Sequence, residues 1–246
     1  MNGFSIGTAN ETSLHAAVKN WLDPDPAHQE VRLGAHIADV YNGEEIFEVQ
    51  TRGLYRLREK ARQLLAWAPV TVVFPAAACK RIYWIDPQTG SCSGGRRGSR
   101  PASPYTLWRE LPGLAELFGT PDFSVRMLLI EVDEYRLLDG FGAQRKRRAT
   151  HVDRVLRGIR ADFTAAVPQD LLRLIPEPLP EPFTSRGFAS AAHIPLPDAQ
   201  SALTMLTRHE LVSRTRAGHG YLYARRFSPA PGENPPAQTQ PPEFFI

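Results

Sequence analysis

Residues 37–50 read Ile37-Ala38-Asp39-Val40-Tyr41-Asn42-Gly43-Glu44-Glu45-Ile46-Phe47-Glu48-Val49-Gln50. Asn-Gly between two extended runs is a strong short-range hairpin signal, because both residues tolerate the positive φ of a tight turn. The flanking runs are Val31–Tyr41 and Glu45–Thr51. With Asn42-Gly43 as a two-residue turn, Tyr41 opposes Glu44 and Asp39 faces Ile46. Glu48 is then the diagonal neighbour of Asp39 on the same face, about 7 to 8 Å away. A four-residue loop preserves this parity, and a three-residue loop destroys it. Two carboxylates on one face suit a hard divalent cation, Mg²⁺ or Mn²⁺, that takes one or two carboxylates and keeps several waters. The carbonyl of Val49 adds an oxygen, and Gln50 would sit beside the ion, able to orient a water but carrying no charge. The plain alternative is a solvated hairpin face with two ordinary acids.

Outward from the hairpin, residues 12–22 have the apolar stripe Leu14, Val18, Trp21 and Leu22, which predicts a short amphipathic helix capped by Thr12 or Ser13. Asp23-Pro24-Asp25-Pro26 ends it. A second helix is predicted over Leu54–Trp67, then a buried strand over Val70–Pro75 and another over Arg81–Asp86. Residues 1–90 therefore read helix, hairpin, helix, strand, strand, an α/β domain on a small mixed sheet flanked by helices.

That order, with Ile37-Ala38-Asp39-Val40, then Phe47-Glu48-Val49-Gln50-Thr51-Arg52, then Val70–Phe74, resembles the PD-(D/E)xK nuclease superfamily over residues 11–86. The resemblance implies a restriction-endonuclease-like core with Asp39 and Glu48 as magnesium ligands. It puts Gln50 where the superfamily usually has a lysine that helps activate water. It also implies an acid on the first helix, for which Glu11 is the candidate. Glutamine at the lysine position removes a cation, and Arg52 or Lys60 is placed to compensate. Some branches, among them competence-associated nuclease-like proteins, also carry Glu-x-Gln. Arg52 and Arg56, one turn apart, would reach a phosphate near the metal. His15, His28 and His36 lack metal-ligand spacing and read as structural or solvated.

Residues 91–165 read as a basic α+β extension of the core. They comprise a basic loop with Arg96, Arg97 and Arg100, helical material over Tyr105–Leu117 and a strand over Phe123–Val132. A second basic loop carries Arg145, Lys146, Arg147 and Arg148, and a helix is expected over His151–Arg160. A turn of helix over Asp170–Ile175 and a Pro-rich linker to Pro182 complete residues 166–182. From Phe183 the pattern is short helix, turn, helix over Pro197–His209, and basic hairpin, which resembles the winged-helix family. That resemblance implies base contacts from the exposed side of the second helix, Gln200, Ser201, Thr204, Thr207 and Arg208. Phosphate contacts would come from Arg214, Arg216 and His219 on the wing. The same fold also serves protein contacts, including a homodimer. Residues 228–246 are Pro-rich and read as a disordered tail.

The net charge of +3 says little, but arginine dominates the basic clusters and is the better bidentate phosphate partner. No stretch reaches the roughly 18 to 20 apolar residues that cross a bilayer, and the start lacks a signal-peptide pattern. The two cysteines, Cys79 and Cys92, have neither metal-ligand spacing nor a disulfide framework. A soluble, cytoplasmic, DNA-acting protein is expected, with RNA disfavoured for want of an aromatic stacking platform. A nuclease-like core that binds or regulates without cutting is the alternative, and a protein-interaction role is the third.

Overall fold

A computed structural model describes residues 13–99, 101–140 and 149–226. Glu11, Arg100, Arg145, Lys146, Arg147, Arg148 and the tail from residue 227 lie outside the described residues. Helix α1 spans Ser13–Leu22 and is followed by β1 (Gln29–Leu33), β2 (His36–Tyr41) and β3 (Ile46–Val49). Helix α2 (Arg58–Leu64) leads to β4 (Val70–Ile85), β5 (Arg96–Arg97), β6 (Phe123–Leu137) and β7 (Thr150–Ala165). Helices α3 (Ser185–Ala191) and α4 (Leu196–Arg208) and the hairpin β8 (Val212–Ala217), β9 (Gly220–Arg225) follow. The main sheet has the order β1-β2-β3-β4-β6-β7, with β5 added on β4. The β1–β2–β3 meander is antiparallel, β3–β4 and β4–β6 are parallel, and β6–β7 is antiparallel.

Alternation along β4 sorts its side chains between two layers. Val70, Val72 and Phe74 join the larger core under α2, whereas Val73 joins Leu14 and Val18 of α1 with Val49, Leu128 and Ile130. The two helices therefore cover opposite faces of the sheet.

Several elements differ from the sequence reading, each for a physical reason. The β2–β3 register pairs Tyr41 with Ile46 and Val40 with Phe47, so the connection is a four-residue loop rather than an Asn-Gly two-residue turn. The Asn42 side chain closes it, accepting from the amides of Glu44 at 3.0 Å and Glu45 at 2.9 Å. The two expected strands at 70–75 and 81–86 form one ladder. Pro75 is tolerated inside it because Val73 is the last β4 residue bonded to the β3 segment, through Gln50, and the same edge is bonded again only from Ala77, whose carbonyl accepts the Ala102 amide. The amide hydrogen that Pro75 lacks would point where β3 has already ended.

The helix expected over His151–Arg160 is part of β7. Register shifts at Leu129/Ile130 and Glu131/Val132 interrupt the alternation, so its apolar residues fall at helix-like spacing. Proline and glycine break the expected helix at 105–117 into 3₁₀ turns over Pro104–Arg109 and Leu111–Leu114. Gly113 is required there, since a Cβ would lie 2.6 Å from the side chain of Tyr55. Helix α2 is likewise shorter than expected and follows a 3₁₀ turn, Leu54–Leu57, whose Gly53 and Leu54 amides are held by Glu110 at 2.8 and 3.0 Å.

The C-terminal helices are not tethered by a free linker. Leu179 and Phe183 are buried in the larger core, and one contiguous cluster runs from Leu54 and Val70 through Trp108 and Leu171 to Phe188, Leu203 and Val212. Trp108 is the joint: its indole donates to the carbonyl of Leu174 at 3.1 Å and meets the Phe188 ring edge-on. Arg109 and Asp198 add a salt bridge at 2.9 Å. Among the described residues no helix is long and apolar enough to cross a membrane.

A shared core predicts one cooperative unfolding transition. Phe188→Ala should cost about 3 to 5 kcal/mol by urea denaturation, with tryptophan fluorescence and far-UV circular dichroism moving together. Two separated transitions would make α3–β9 an independent module.

Candidate acidic site and nucleic-acid surfaces

Beyond the Val40–Phe47 pair, side chains replace the ladder bonds between β2 and β3. The Asp39 carboxylate accepts the Val49 amide at 2.7 Å, and the Glu48 carboxylate accepts the Asp39 amide at 3.4 Å. Each acid thus holds the other strand, and each takes its cationic partner from a different face. Glu48, only 1% exposed, receives the ammonium of Lys60 on α2 at 2.6 Å. Asp39 receives Nε2 of His15 on α1 at 3.3 Å. The same Nε2 lies 3.2 Å from the Val49 carbonyl. A carbonyl only accepts, so this nitrogen carries a hydrogen and is not presented as a metal ligand.

Burial first, and the neighbouring charge of Asp39 second, push the Glu48 carboxyl up to about 7; Lys60 pulls it back without overcoming them. Asp39 moves the other way. Burial opposes its charge, but the His15 contact and the Val49 amide hold it below the ordinary carboxylate range.

Asp39, Glu48 and the Val49 carbonyl are oxygen donors of the kind a hard cation takes, and a cation between the acids would relieve the repulsion that raises Glu48. Among the described residues no group of three or more His, Cys, Asp or Glu side chains is arranged to hold a metal ion. An ion here would keep most of its shell as water. Gln50 does not reach into this arrangement: its amide donates to the carbonyl of Arg52 at 2.9 Å. The Lys60 alternative is the one that makes contact. His15, read from the sequence as structural or solvated, has a structural partner: α1 packs across β7, β3 and β2 and sets the ring against Asp39. Its sequence signal was a polar residue bordering the Leu14–Val18 stripe.

The expected nucleic-acid residues are scattered. Arg52 is exposed next to the site, and Arg56 turns back on its neighbour, with Nε 3.2 Å from the Tyr55 hydroxyl. Arg96 and Arg97 pair with Ile82 and Arg81; from Val73, beside Val49, to Arg81 is roughly 25 Å of strand at about 3.3 Å per residue. Gln200, Thr204 and Arg208 are exposed on α4, lining a cleft of about 500 Å³ whose other wall includes Pro112 and Ala115. Arg214, Arg216 and His219 are exposed on the β8–β9 hairpin, with the Arg214 guanidinium 4.6 Å from the Tyr221 ring centre.

A family model described as "Domain of unknown function (DUF8091)" matches residues 12–165. The chain belongs to the DUF8091 family. The match closes on the last residue of β7, so the DUF8091 unit is the sheet with α1 and α2, and it contains Asp39, Glu48, His15 and Lys60. Helices α3 and α4 and the basic hairpin follow it. An uncharacterized protein of Treponema pallidum (strain Nichols) is 28% identical over 242 residues, covering 96% of this chain and 94% of that protein. No solved structure matches the chain.

The raised carboxyl of Glu48 gives a signed pH dependence in metal-free buffer. Its contribution to stability is fully present below the ordinary value of 4.5 and is lost as pH rises to about 7. Asp39 contributes in the opposite sense, above 3.8 and lost on acidification. Glu48→Gln stays neutral, so between those limits it should gain on the order of 3 kcal/mol relative to the parent, at about 1.36 kcal/mol per pH unit. Urea unfolding in EDTA at both ends of the window checks this. Parallel curves would mean that Glu48 titrates normally.

Proposed function

We propose that this protein is a DNA-acting, divalent-metal-dependent nuclease of the PD-(D/E)xK type, in which Lys60 supplies the charge that Gln50 lacks. One observation carries the proposal: the buried Glu48 carboxylate, at the end of the strand facing Asp39, is hydrogen-bonded to an ammonium from the following helix. Further support is the order helix, antiparallel β1–β2–β3, helix, parallel β4, which is the order expected of a restriction-endonuclease-like core. A Mg²⁺ or Mn²⁺ ion held by Asp39, Glu48 and the Val49 carbonyl would supply an acidified water and neutralise charge on the phosphate. Lys60 keeps Glu48 oriented and places a positive charge beside the reacting phosphate. His15 orients Asp39 and must release the Val49 carbonyl when that oxygen is used. The exposed residues Gln200, Thr204 and Arg208 on α4, with Arg214, Arg216 and His219 on the hairpin, are proposed to contact DNA in the manner of a winged helix.

A second reading is a DNA-binding protein that does not cut. It is favoured by the fact that Lys60 and His15 already partner both carboxylates, which a purely structural ion-pair network would also achieve.

Nicking and cleavage of plasmid, linear and branched DNA with Mg²⁺ or Mn²⁺ separates the two. Cleavage should disappear in Asp39→Ala and Glu48→Ala, fall on the order of a hundredfold in Lys60→Met, and persist or rise in Gln50→Lys. Intact DNA that is still bound, under either ion, would select the non-cutting reading. Equal cleavage by the parent and Glu48→Ala would remove the acidic site from the chemistry.

A further inference from the structure

Strands β4, β6 and β7 run on after β3 ends at Val49. Beside this overhang lies a cleft of about 500 Å³ whose lining includes Thr51, Arg52, Glu134, Arg136, His151 and Arg154. Thr51 and Arg52 follow directly from the Val49–Gln50 end of the acidic site, so the two are continuous along the chain.

Glu134, 1% exposed, forms the floor of this cleft. It receives Nε of Arg136 at 2.7 Å and also its Nη2, Nε of Arg154 at 3.1 Å and Nζ of Lys80 at 3.2 Å. Burial disfavours its charge, but Arg136, Lys80 and Arg154 outweigh burial and hold the carboxyl down at about 2. One anion thus fixes three cations, and the site keeps an excess of positive charge. Among the described residues Arg154 spends only its Nε on Glu134, leaving both terminal NH₂ groups, and Nη1 of Arg136 has no acceptor there either. Arg52 adds a guanidinium with no acidic partner among the described residues. The nearby Asp153, which accepts from the amide and hydroxyl of Ser13 and the amide of Arg154, offsets one charge, and Arg52, Lys80, Arg136 and Arg154 still outnumber Glu134 and Asp153.

An ordinary buried ion pair needs one cation per acid. Several guanidiniums with unspent donors, held rigidly on one wall of an open cleft, instead match the oxygens of a phosphate group. We infer that this cleft binds a backbone phosphate of the nucleic-acid strand next to the acidic site, through Arg52, Arg136 and Arg154, with Glu134 as the positioning residue. The inference rests on the nucleic-acid reading above but not on cleavage.

The test is fluorescence anisotropy of a short labelled DNA duplex and its single strand with the full chain, in EDTA, across a range of KCl concentrations. Replacing both arginines (Arg136→Gln with Arg154→Gln) should weaken binding about ten- to a hundredfold and flatten the plot of log K against log salt by about one, the value for a single phosphate contact. Arg136→Lys with Arg154→Lys should recover most of the slope, and Arg62→Gln, on the exposed side of α2, should change neither quantity. Because the double glutamine variant strips two partners from Glu134, a triple variant adding Glu134→Gln removes the buried charge and keeps the experiment readable if the first variant unfolds. Arg52→Gln, fully at the surface, provides an independent arm.

Affinity and slope unchanged in these variants would overturn the inference, as would failure of the parent to bind either DNA at low salt. Loss of DNA binding in millimolar inorganic phosphate at constant ionic strength would overturn the strand assignment in favour of a free phosphate. The nuclease reading fails separately. Arginine-dependent binding with no cleavage leaves the cleft standing, whereas cleavage lost in Glu48→Ala with arginine-independent binding removes the cleft alone.

Discussion

A carboxylate buried at the end of a strand needs a compensating charge, and Glu48 obtains one because β3 and β4 are parallel. A parallel pair cannot be joined by a tight turn, so the chain must cross over one face of the sheet, and it does so through α2. The apolar side of α2, Ala61 and Leu64, seats on the core formed by Ile46, Val70 and Val72. Seating Ala61 leaves the adjacent Lys60 at the rim, with its ammonium against Glu48. The pairing of two strands therefore decides which side chain completes the acidic site. Removing one member of such a pair strands the other charge in a poorly solvated place, which is why the pair acts as a unit.

A second consequence comes from unequal strand lengths. β3 spans Ile46–Val49, whereas β4, β6 and β7 each continue far past it. The gap between the end of β3 and the next bond on that edge, from Ala102 to Ala77, accommodates Pro75 without a lost ladder bond. The overhanging ladder carries charges of both signs at close quarters. Asp133 pairs with Arg157 at 2.7 Å, Glu131 with Arg160, and Glu134 with its three cations. Cross-strand pairs of opposite charge hold a long exposed hairpin together while displaying arginine outward.

The C-terminal helices share a core with the sheet. Trp108 is fully buried between the 3₁₀ turns and α3, and α4 leans on Leu111 and Leu114. The exposed faces of α4 and the β8–β9 hairpin are thus joined through buried side chains to the unit that carries Asp39 and Glu48. The end of the DUF8091 match at residue 165 coincides with a boundary in chain order but not in the core.

Patterns carried by a few neighbouring residues were legible in the sequence. The stripe of Leu14 and Val18 marked α1, the apolar run from Val70 marked the central strand, and the Phe183–Arg225 pattern marked two helices and a hairpin close to where they stand. Asp39 and Glu48 were singled out from hairpin parity together with the resemblance of their surroundings to the PD-(D/E)xK order, although the register is shifted from the expected Asp39–Ile46 pairing. The four-residue loop is compatible with that parity, but the partners of these acids were decided by tertiary structure. His15 and Lys60 reach them from opposite faces of the sheet, and nothing in local spacing says which helix will cover which face. The same holds for β7, whose helix-like spacing arises from bulges that only pairing with β6 creates. Gln50, next to Glu48 in sequence, turns to its own backbone, while Lys60 arrives by crossover. Local steric preference and side-chain periodicity act within a turn or a strand and can be read from the chain. The meeting of charges from separate elements depends on how buried faces pack, and that is settled only when the sheet closes over its core.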